Sequence, residues 1–164
     1  MREAEITFRI VADATDLARL EQALRTLSAD IGEDYAAGSA ALEHALIGPN
    51  PAAHGLLALH GDQTLGAALY SPAFSTVRGA AGVYVSDLWV SANARGHGLG
   101  ARLLAQVAQQ GANLWQATWL KLAVYDHSHS AQQFYMRLGF APATGMQEMR
   151  LGPDGVTHLI KRIA

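Results

Sequence analysis

The sequence predicts a mixed α/β fold. Apolar residues recur at helical spacing in some segments and alternate, or run unbroken over strand lengths, in others, and the two kinds of segment are interleaved along the chain. With 164 residues, half of them apolar and 16% charged, the chain is long enough to close one hydrophobic core without disulfide staples, so a single domain over residues 1–164 is expected.

The first element is a half-buried strand from Glu5 to Val11, with Ile6, Phe8 and Ile10 at alternating positions. Asp13 or Thr15 opens a helix in which Leu17, Leu20, Leu24 and Leu27 recur through about Ala29, and Asp16 sits in the first turn, where the helix dipole favours an acid. A second helix is expected from Ser39 to Ile47, ended by Gly48-Pro49-Asn50-Pro51 because proline cannot continue the hydrogen-bond ladder. His54 to His60 and Thr64 to Tyr70 read as strands joined at Gly61-Asp62-Gln63. A longer strand runs from Gly82 to Val90, and Ser71 to Thr76 between them reads as a loop. Leu99, Leu103, Leu104, Val107 and Ala108 then form the apolar stripe of a helix stopped by Gly111. Thr118 to Tyr125 is a strand, and Ser128 or Ser130 caps a helix that runs to Leu138 before Gly139 closes it. Met146 to Leu151 and Val156 to Ile163, flanking Gly152-Pro153-Asp154-Gly155, read as a terminal β-hairpin.

The segment Arg95-Gly96-His97-Gly98-Leu99-Gly100 stands between the apolar Val83–Val90 run and a helix start. With few side chains in the way, backbone N–H groups there can approach an anion, and the helix dipole adds about half a positive charge. Three phosphate-binding patterns compete. A Walker A loop fails, because Ala101-Arg102 or Leu103 stands where a Gly-Lys-Ser/Thr run is required. Gly96, Gly98 and Ala101 satisfy the dinucleotide fingerprint, but no acidic residue follows between Ser91 and Tyr125 to hold a ribose, and four residues separate the strand from the glycines. The third pattern, R-x-x-G-x-G, is carried by Arg95, Gly98 and Gly100.

That pattern resembles motif A of the GNAT superfamily of acyl-CoA N-acyltransferases. A second match supports it: Ala131-Gln132-Gln133-Phe134-Tyr135-Met136-Arg137-Leu138-Gly139-Phe140 is similar to the superfamily's A-x-x-F-Y-x-x-x-G-F segment, one strand further on. Tyr84 to Val90 is similar to its fourth strand. The resemblance covers roughly residues 55 to 141, and the first fifty residues match in pattern only. It implies a single GNAT domain with a central, mostly antiparallel twisted sheet and helices on both faces. It also implies acetyl-CoA as co-substrate, with no metal.

Residue by residue, the resemblance places the pantetheine arm on the backbone of Leu88, Trp89 and Val90. It places the pyrophosphate on amides of Gly96, His97, Gly98, Leu99, Gly100 and Ala101, with Arg95 anchoring the loop or a phosphate. Tyr135 stands at the position of the general acid. A phenol stays protonated at neutral pH and can donate to a thiolate whose conjugate acid titrates near 8 to 9. On periodicity alone Tyr135 is a buried aromatic beside Ala131, Phe134 and Leu138. Ser86-Asp87 stands where the polyamine and diamine branch commonly has Glu-Asp, leaving Asp87 to bind an ammonium group or relay a proton; a structural carboxylate is its other reading. Strand alternation sets Ser86 and Asp87 on opposite faces. Ser128 replaces an asparagine that in relatives reaches the pantetheine, and helix capping is its other role. Glu33, Asp34 and Tyr35 fall in the first inter-helix loop, which lines the acceptor groove in the superfamily, and His127 could act as base or acceptor contact.

The absence of cysteine excludes disulfides, thiolate metal sites and a cysteine nucleophile, so direct transfer in a ternary complex is expected. Seven scattered histidines without H-x-x-x-H argue against zinc. The charge of −2 and the lack of a Lys/Arg cluster argue against nucleic acid or anionic membranes as partners. With no signal-peptide pattern and no run near ~18 apolar residues, a cytoplasmic location is expected. Pairing is common among members of the superfamily, so a homodimer is an expectation by resemblance. The expected activity is acetyl transfer to a primary amine of a small molecule: a diamine, polyamine or amino-acid-like amine. An aminoglycoside, a protein N-terminus or a lysine remains open as acceptor, a non-catalytic acyl-CoA sensor is the rival reading, and an NAD-binding domain is a distant third.

Overall fold

The computed structural model describes residues 6–163. They form two compact units, one ending at Tyr125 and the other beginning at Asp126. The first contains β1 (Ile6–Ile10), α1 (Ala14–Ile31), α2 (Ser39–Ile47), β2 (His54–His60), β3 (Gln63–Ser75), β4 (Ala80–Val90), α3 (Leu99–Trp115) and β5 (Trp119–Leu122). Its strands lie side by side in chain order, antiparallel from β1 to β4, while β5 runs parallel to β4 because α3 carries the chain back across the sheet. Glu5, the first residue of the strand expected from the sequence, lies outside the described residues.

Local chemistry sets the helix ends. Asp13 caps α1 by accepting from the Asp16 N–H at 2.9 Å, and Gly32, with φ 75°, closes it. Leu17, Leu20 and Leu24 of α1 and Leu42 and Leu46 of α2 pack on Leu57, Leu59 and Ala67, which makes one core on one face of the sheet. On that face Gly55 is required by contact: a Cβ there would lie 2.7 Å from Leu20. The opposite face belongs to α3. A Cβ on Gly66 would stand 2.7 Å from Leu103, which is itself fully buried. Asp16 is 2% exposed, and its carboxylate is shared by Arg9 and Arg19, each at 3.2 Å, so its burial is compensated by charge.

Three expectations for this unit are corrected. Ser71 to Ser75, expected as a loop, continues β3 and pairs with Ala80 to Tyr84. Pro72 is tolerated there because β2 ends at His54, opposite Tyr70, and no ladder on that side needs its missing N–H. Gly111 does not stop α3. It sits where the helix crosses β4, and a Cβ would overlap Val83; the stop comes at Gln116, in the left-handed conformation, where Gln116 N–H donates to Ala112 carbonyl and Ala117 N–H to Gly111 carbonyl, each at 3.1 Å. β5 is shorter than the 118–125 expected.

The second unit holds α4 (His129–Arg137) and α5 (Pro153–Ile160). Gly139, at φ 93°, ends α4 as expected, and Phe140 N–H donates to Tyr135 carbonyl at 3.1 Å. The terminal β-hairpin is not formed. Gly152-Pro153-Asp154 acts as a helix entry instead of a turn: Pro153 needs no N–H in the first turn, Asp154 meets the positive end of the dipole, and Thr157 Oγ1 donates to Pro153 carbonyl at 3.0 Å. Among the described residues no helix is long and apolar enough to cross a membrane.

Replacing Gly111 by alanine separates two opposing effects. Helix propensity alone favours alanine by about 1 kcal/mol. Val83 is fully buried and stiff at χ1, so the overlap wins. The expected result is net destabilisation of about 1–3 kcal/mol, read as a lower midpoint in thermal unfolding; an unchanged or raised midpoint would show that α3 can shift freely.

Candidate active site

The site in the first unit is made by the end of β4. Leu69 of β3 pairs with Asp87, but the next residue, Tyr70, pairs with Val85, so Ser86 is an extra residue in β4. Its hydroxyl donates to Leu69 carbonyl at 3.2 Å. A one-residue bulge of this kind resets the side-chain alternation. Val83, which meets α3 at Gly111, lies on one face, while Asp87 falls in the cross-sheet row of Gly55 and Leu69, on the α1 face.

The same stretch parts from β5. Pairing with β5 ends at Val85 opposite Leu122, so from Ser86 to Val90 the outer edge of β4 has no strand beside it. Its backbone N–H and C=O groups are free of the ladder on that side, which is the requirement for binding an extended amide-bearing chain by strand-like hydrogen bonds.

Asp87 is partly buried, and that burial raises its pKa above the ordinary carboxylate value, with Ser86 pulling the other way. Tyr35, between α1 and α2, lies within its electrostatic reach: burial raises the phenol first, Glu21 adds to this, and Asp87 contributes in the same direction. The Tyr35 hydroxyl is buried without a hydrogen-bond partner. Further along β4, Trp89 floors a groove of about 770 Å³ whose walls include Ala18, Gln22 and Thr26 of α1 and Thr64 of β3.

The glycine loop follows β4. Gly96 and Gly98 take φ of 78° and 76°, a region closed to most residues, and a Cβ on either would meet nothing within 4 Å, so the loop face is open. Gly98 caps α3 without a side-chain bond, leaving the first-turn amides of Leu99, Gly100 and Ala101 to an external acceptor. Buried Leu99 holds this turn against the core. Arg95 locks the loop: Nε donates to Val90 carbonyl at 2.9 Å, and Nη2 pairs with Asp30 of α1 at 2.6 Å. His97 Nδ1 lies 2.9 Å from Arg95 carbonyl, so its ring folds back on the loop.

In the second unit Tyr135 stacks edge-on with Phe134 and Phe140, at ring separations of 5.1 and 5.6 Å, and burial raises its pKa above the ordinary phenol value. Ser128 occupies the N-cap position of α4, yet its side chain makes no cap bond; its carbonyl accepts from Gln132 instead. His127 lies in the segment before α4. Glu33 and Asp34 are exposed beyond the α1 cap, with Glu33 N–H bonded to Ser28 carbonyl at 2.8 Å. Among residues that sequence reasoning did not single out, Asp30 clamps Arg95, Arg25 lies over the Tyr35 ring at 4.4 Å, and Glu21 holds both Arg25 and the Ser39 hydroxyl. The i,i+4 spacing of Glu21 and Arg25 was a visible signal for an ion pair; nothing in the sequence marks the bulge or the Asp30 contact.

The family model of the acetyltransferase (GNAT) family matches residues 15–140. The chain belongs to this family. It is thereby an enzyme of the acyltransferase class, and its five-stranded mixed sheet with helices on both faces is the GNAT fold. No match to the sequence was found among curated proteins. Solved structures share the fold. An integron cassette protein from the mobile metagenome of V. cholerae superposes with a TM-score of 0.76 at 23% identity, over 96% of this chain and 98% of that one. A ribosomal-protein-alanine N-acetyltransferase from Brucella melitensis gives 0.71 at 17%, over 89% and 99%. The aminoglycoside N-acetyltransferase AAC(6')-Iy in complex with CoA gives 0.71 at 17%, over 89% and 94%.

The loop clamp of this GNAT chain can be tested apart from the fold. Arg95 and Asp30 are both substantially exposed, so breaking their pair costs less than about 1 kcal/mol of stability. If the pair shapes the loop, Arg95→Ala and Asp30→Asn both weaken acetyl-CoA binding by about threefold to tenfold in calorimetry. Weakening by the arginine variant alone would assign Arg95 to direct phosphate contact.

Proposed function

We propose that this chain is an acetyl-CoA-dependent N-acetyltransferase acting on a primary amine of a small molecule, as one catalytic domain. The observation that carries the reading is the bulge at Ser86. It turns a partly buried carboxylate toward the α1 face on the same five residues of β4 that part from β5.

The residues fit the co-substrate. Open left-handed glycines and uncapped first-turn amides at residues 96–101 would hold a diphosphate, and the free edge of Leu88 to Val90 would hold the amide-bearing arm. Acetyl-CoA supplies an activated acetyl thioester. By family likeness, Asp87 takes one proton of the acceptor ammonium, directly or through water, to free the amine; as the N–C bond forms and the C–S bond breaks, Tyr135 donates its phenolic proton to the departing thiolate, and the second proton lost by the nitrogen returns to the phenolate through water. Ser128 and His127 precede α4 as candidate contacts to pantetheine and acceptor, and Glu33 and Asp34 flank the Tyr35 loop on the acceptor side. The Trp89 groove offers room for the body of the acceptor. Its lining is mostly uncharged, and its cation Arg19 is already paired with Asp16 and Asp62. This favours a compact small molecule over a macromolecular acceptor. By family likeness the working form is a cytoplasmic homodimer.

The deciding assay is release of free coenzyme A from acetyl-CoA across a panel of diamines, polyamines, amino acids, aminoglycosides and N-terminal peptides. Turnover with small amines is expected; binding of acetyl-CoA with silence across the panel would favour a sensor. Tyr135→Phe should lower turnover by about one to three orders of magnitude with little change in acetyl-CoA affinity, and unchanged turnover would remove the phenol from the mechanism. The pH profile follows from the two shifts. Asp87 works ionised and its pKa is raised, so activity falls on acidification at a pH above the ordinary carboxylate value. Tyr135 works protonated and its pKa is raised, so the alkaline limb lies above pH 10. Asp87→Asn should abolish the acid limb; its persistence would place the base elsewhere.

A further inference from the structure

The sheet face that carries Asp87 continues toward the β3–β4 hairpin. Leu69, opposite Asp87, packs on the helix core; two residues on, Ser71 pairs with Tyr84, and beyond it Ala73 pairs with Gly82. Val85 faces α3 and Ser86 is the extra residue of the bulge, so Tyr84 occupies the next row along this face, about 7 Å from Asp87. β5 completes the rows: Lys121 stands beside Tyr84, and Trp119 beside Gly82. Two aromatic rings here carry cations. Trp119 lies over Gly82, where a Cβ would overlap the indole, and its Nε1 donates to Ala80 carbonyl at 3.2 Å. Arg78, in the turn where its N–H donates to Ser75 Oγ at 3.2 Å, has its guanidinium carbon 5.1 Å from the centroid of the Trp119 ring. Lys121 Nζ lies 5.5 Å from the Tyr84 centroid. A ring face at this range fixes the place of a cation without neutralising it. Both cations are exposed, and among the described residues neither is paired with a carboxylate. The three strands supply no other acid: from Gln63 to Tyr125 the only one is Asp87. Nor do the phosphates of the co-substrate account for them, because β4 leads from this hairpin to the glycine loop and Tyr84 stands about 20 Å of strand short of Val90.

We infer that Lys121 is a specificity-determining residue: the acceptor is a small amine that also carries a carboxylate, its ammonium on Asp87 and its carboxylate one row along on Lys121, with Arg78 a row further for a longer chain. This rests on the assignment of Asp87 to the acceptor side. The charges are complementary along one face, a carboxylate at one end and two unneutralised cations at the other. A spacing of about 7 Å between rows suits an amine and a carboxylate at the two ends of a short carbon chain. The same lysine opposes the second ammonium of a diamine or polyamine, which is specificity by repulsion.

The test compares three acceptors of one chain length, γ-aminobutyrate, its neutral amide and putrescine, in the coenzyme A release assay and in calorimetry on the protein saturated with coenzyme A. The aminocarboxylate should lead the amide in kcat/KM by about fivefold to tenfold, mostly through KM, and the diamine should trail both. Lys121→Met should cut that lead to within about twofold, and Lys121→Arg should keep it. Lys121→Glu should move the preference to the diamine, an inversion that a loss of fold could not produce. The role of Lys121 is overturned by the absence of a lead for the aminocarboxylate, by a lead that Lys121→Met leaves in place, or by a loss of acetyl-CoA affinity in Lys121→Met, which would assign the lysine to the co-substrate. Association of copies that Lys121→Met abolishes in sedimentation, with no lead among the acceptors, would give the face to a second copy instead. Silence of every acceptor, with γ-aminobutyrate still bound in a Lys121-dependent way, overturns the catalytic reading and upholds recognition of the anionic amine; silence without binding overturns both.

Discussion

The structure turns on one irregularity in β4. A sheet strand can offer its backbone to a ligand only where its neighbour leaves it, and can aim a side chain against its alternation only by adding a residue. Both happen within Ser86 to Val90: Ser86 is extra opposite β3, and β5 no longer pairs beyond Val85. Without the bulge Asp87 would share the face of Val85, the α3 face, where Leu103 and Val107 fill the space beside the sheet. Extending β5 would close the edge.

The surrounding elements hold that stretch in place. On one side α1 and α2 bury a leucine core against β2 and β3, and Gly55 lets the helices approach closely. On the other, α3 crosses the sheet over Gly66 and presents Gly111 to Val83. The glycine loop is pinned from both directions, by Leu99 inserted in the core and by Arg95 fastened to Val90 and Asp30. Stability and site geometry thus share residues, and the loop can present bare amides because its neighbours, rather than its own side chains, keep it folded.

Electrostatics sorts the chemistry. Burial raises Asp87, Tyr35 and Tyr135 alike, but the consequence differs by type: a carboxylate becomes a better proton acceptor, whereas a phenol is held neutral and able to donate. A base and a donor can therefore coexist over the neutral range, which suits an amine that must lose a proton and a thiolate that must gain one.

The sequence by itself determined what short-range physics controls: an α1 start at Asp13 or Thr15, the α2 span, β2, the glycine loop opening α3 and the Gly139 stop, each dictated by residues within a turn of one another. Together with the F-Y segment at Phe134-Tyr135, that loop was enough to name the family. It misled where a local signal has two uses. Gly111 reads as a helix stop but serves close packing against Val83, and Gly152-Pro153-Asp154 reads as a turn but starts a helix. Only the tertiary structure decided that Asp87 faces α1, because strand alternation cannot register an extra residue, and that Asp30 holds Arg95 and Arg25 lies on the Tyr35 ring, because pairings across elements leave no periodic trace in a single chain.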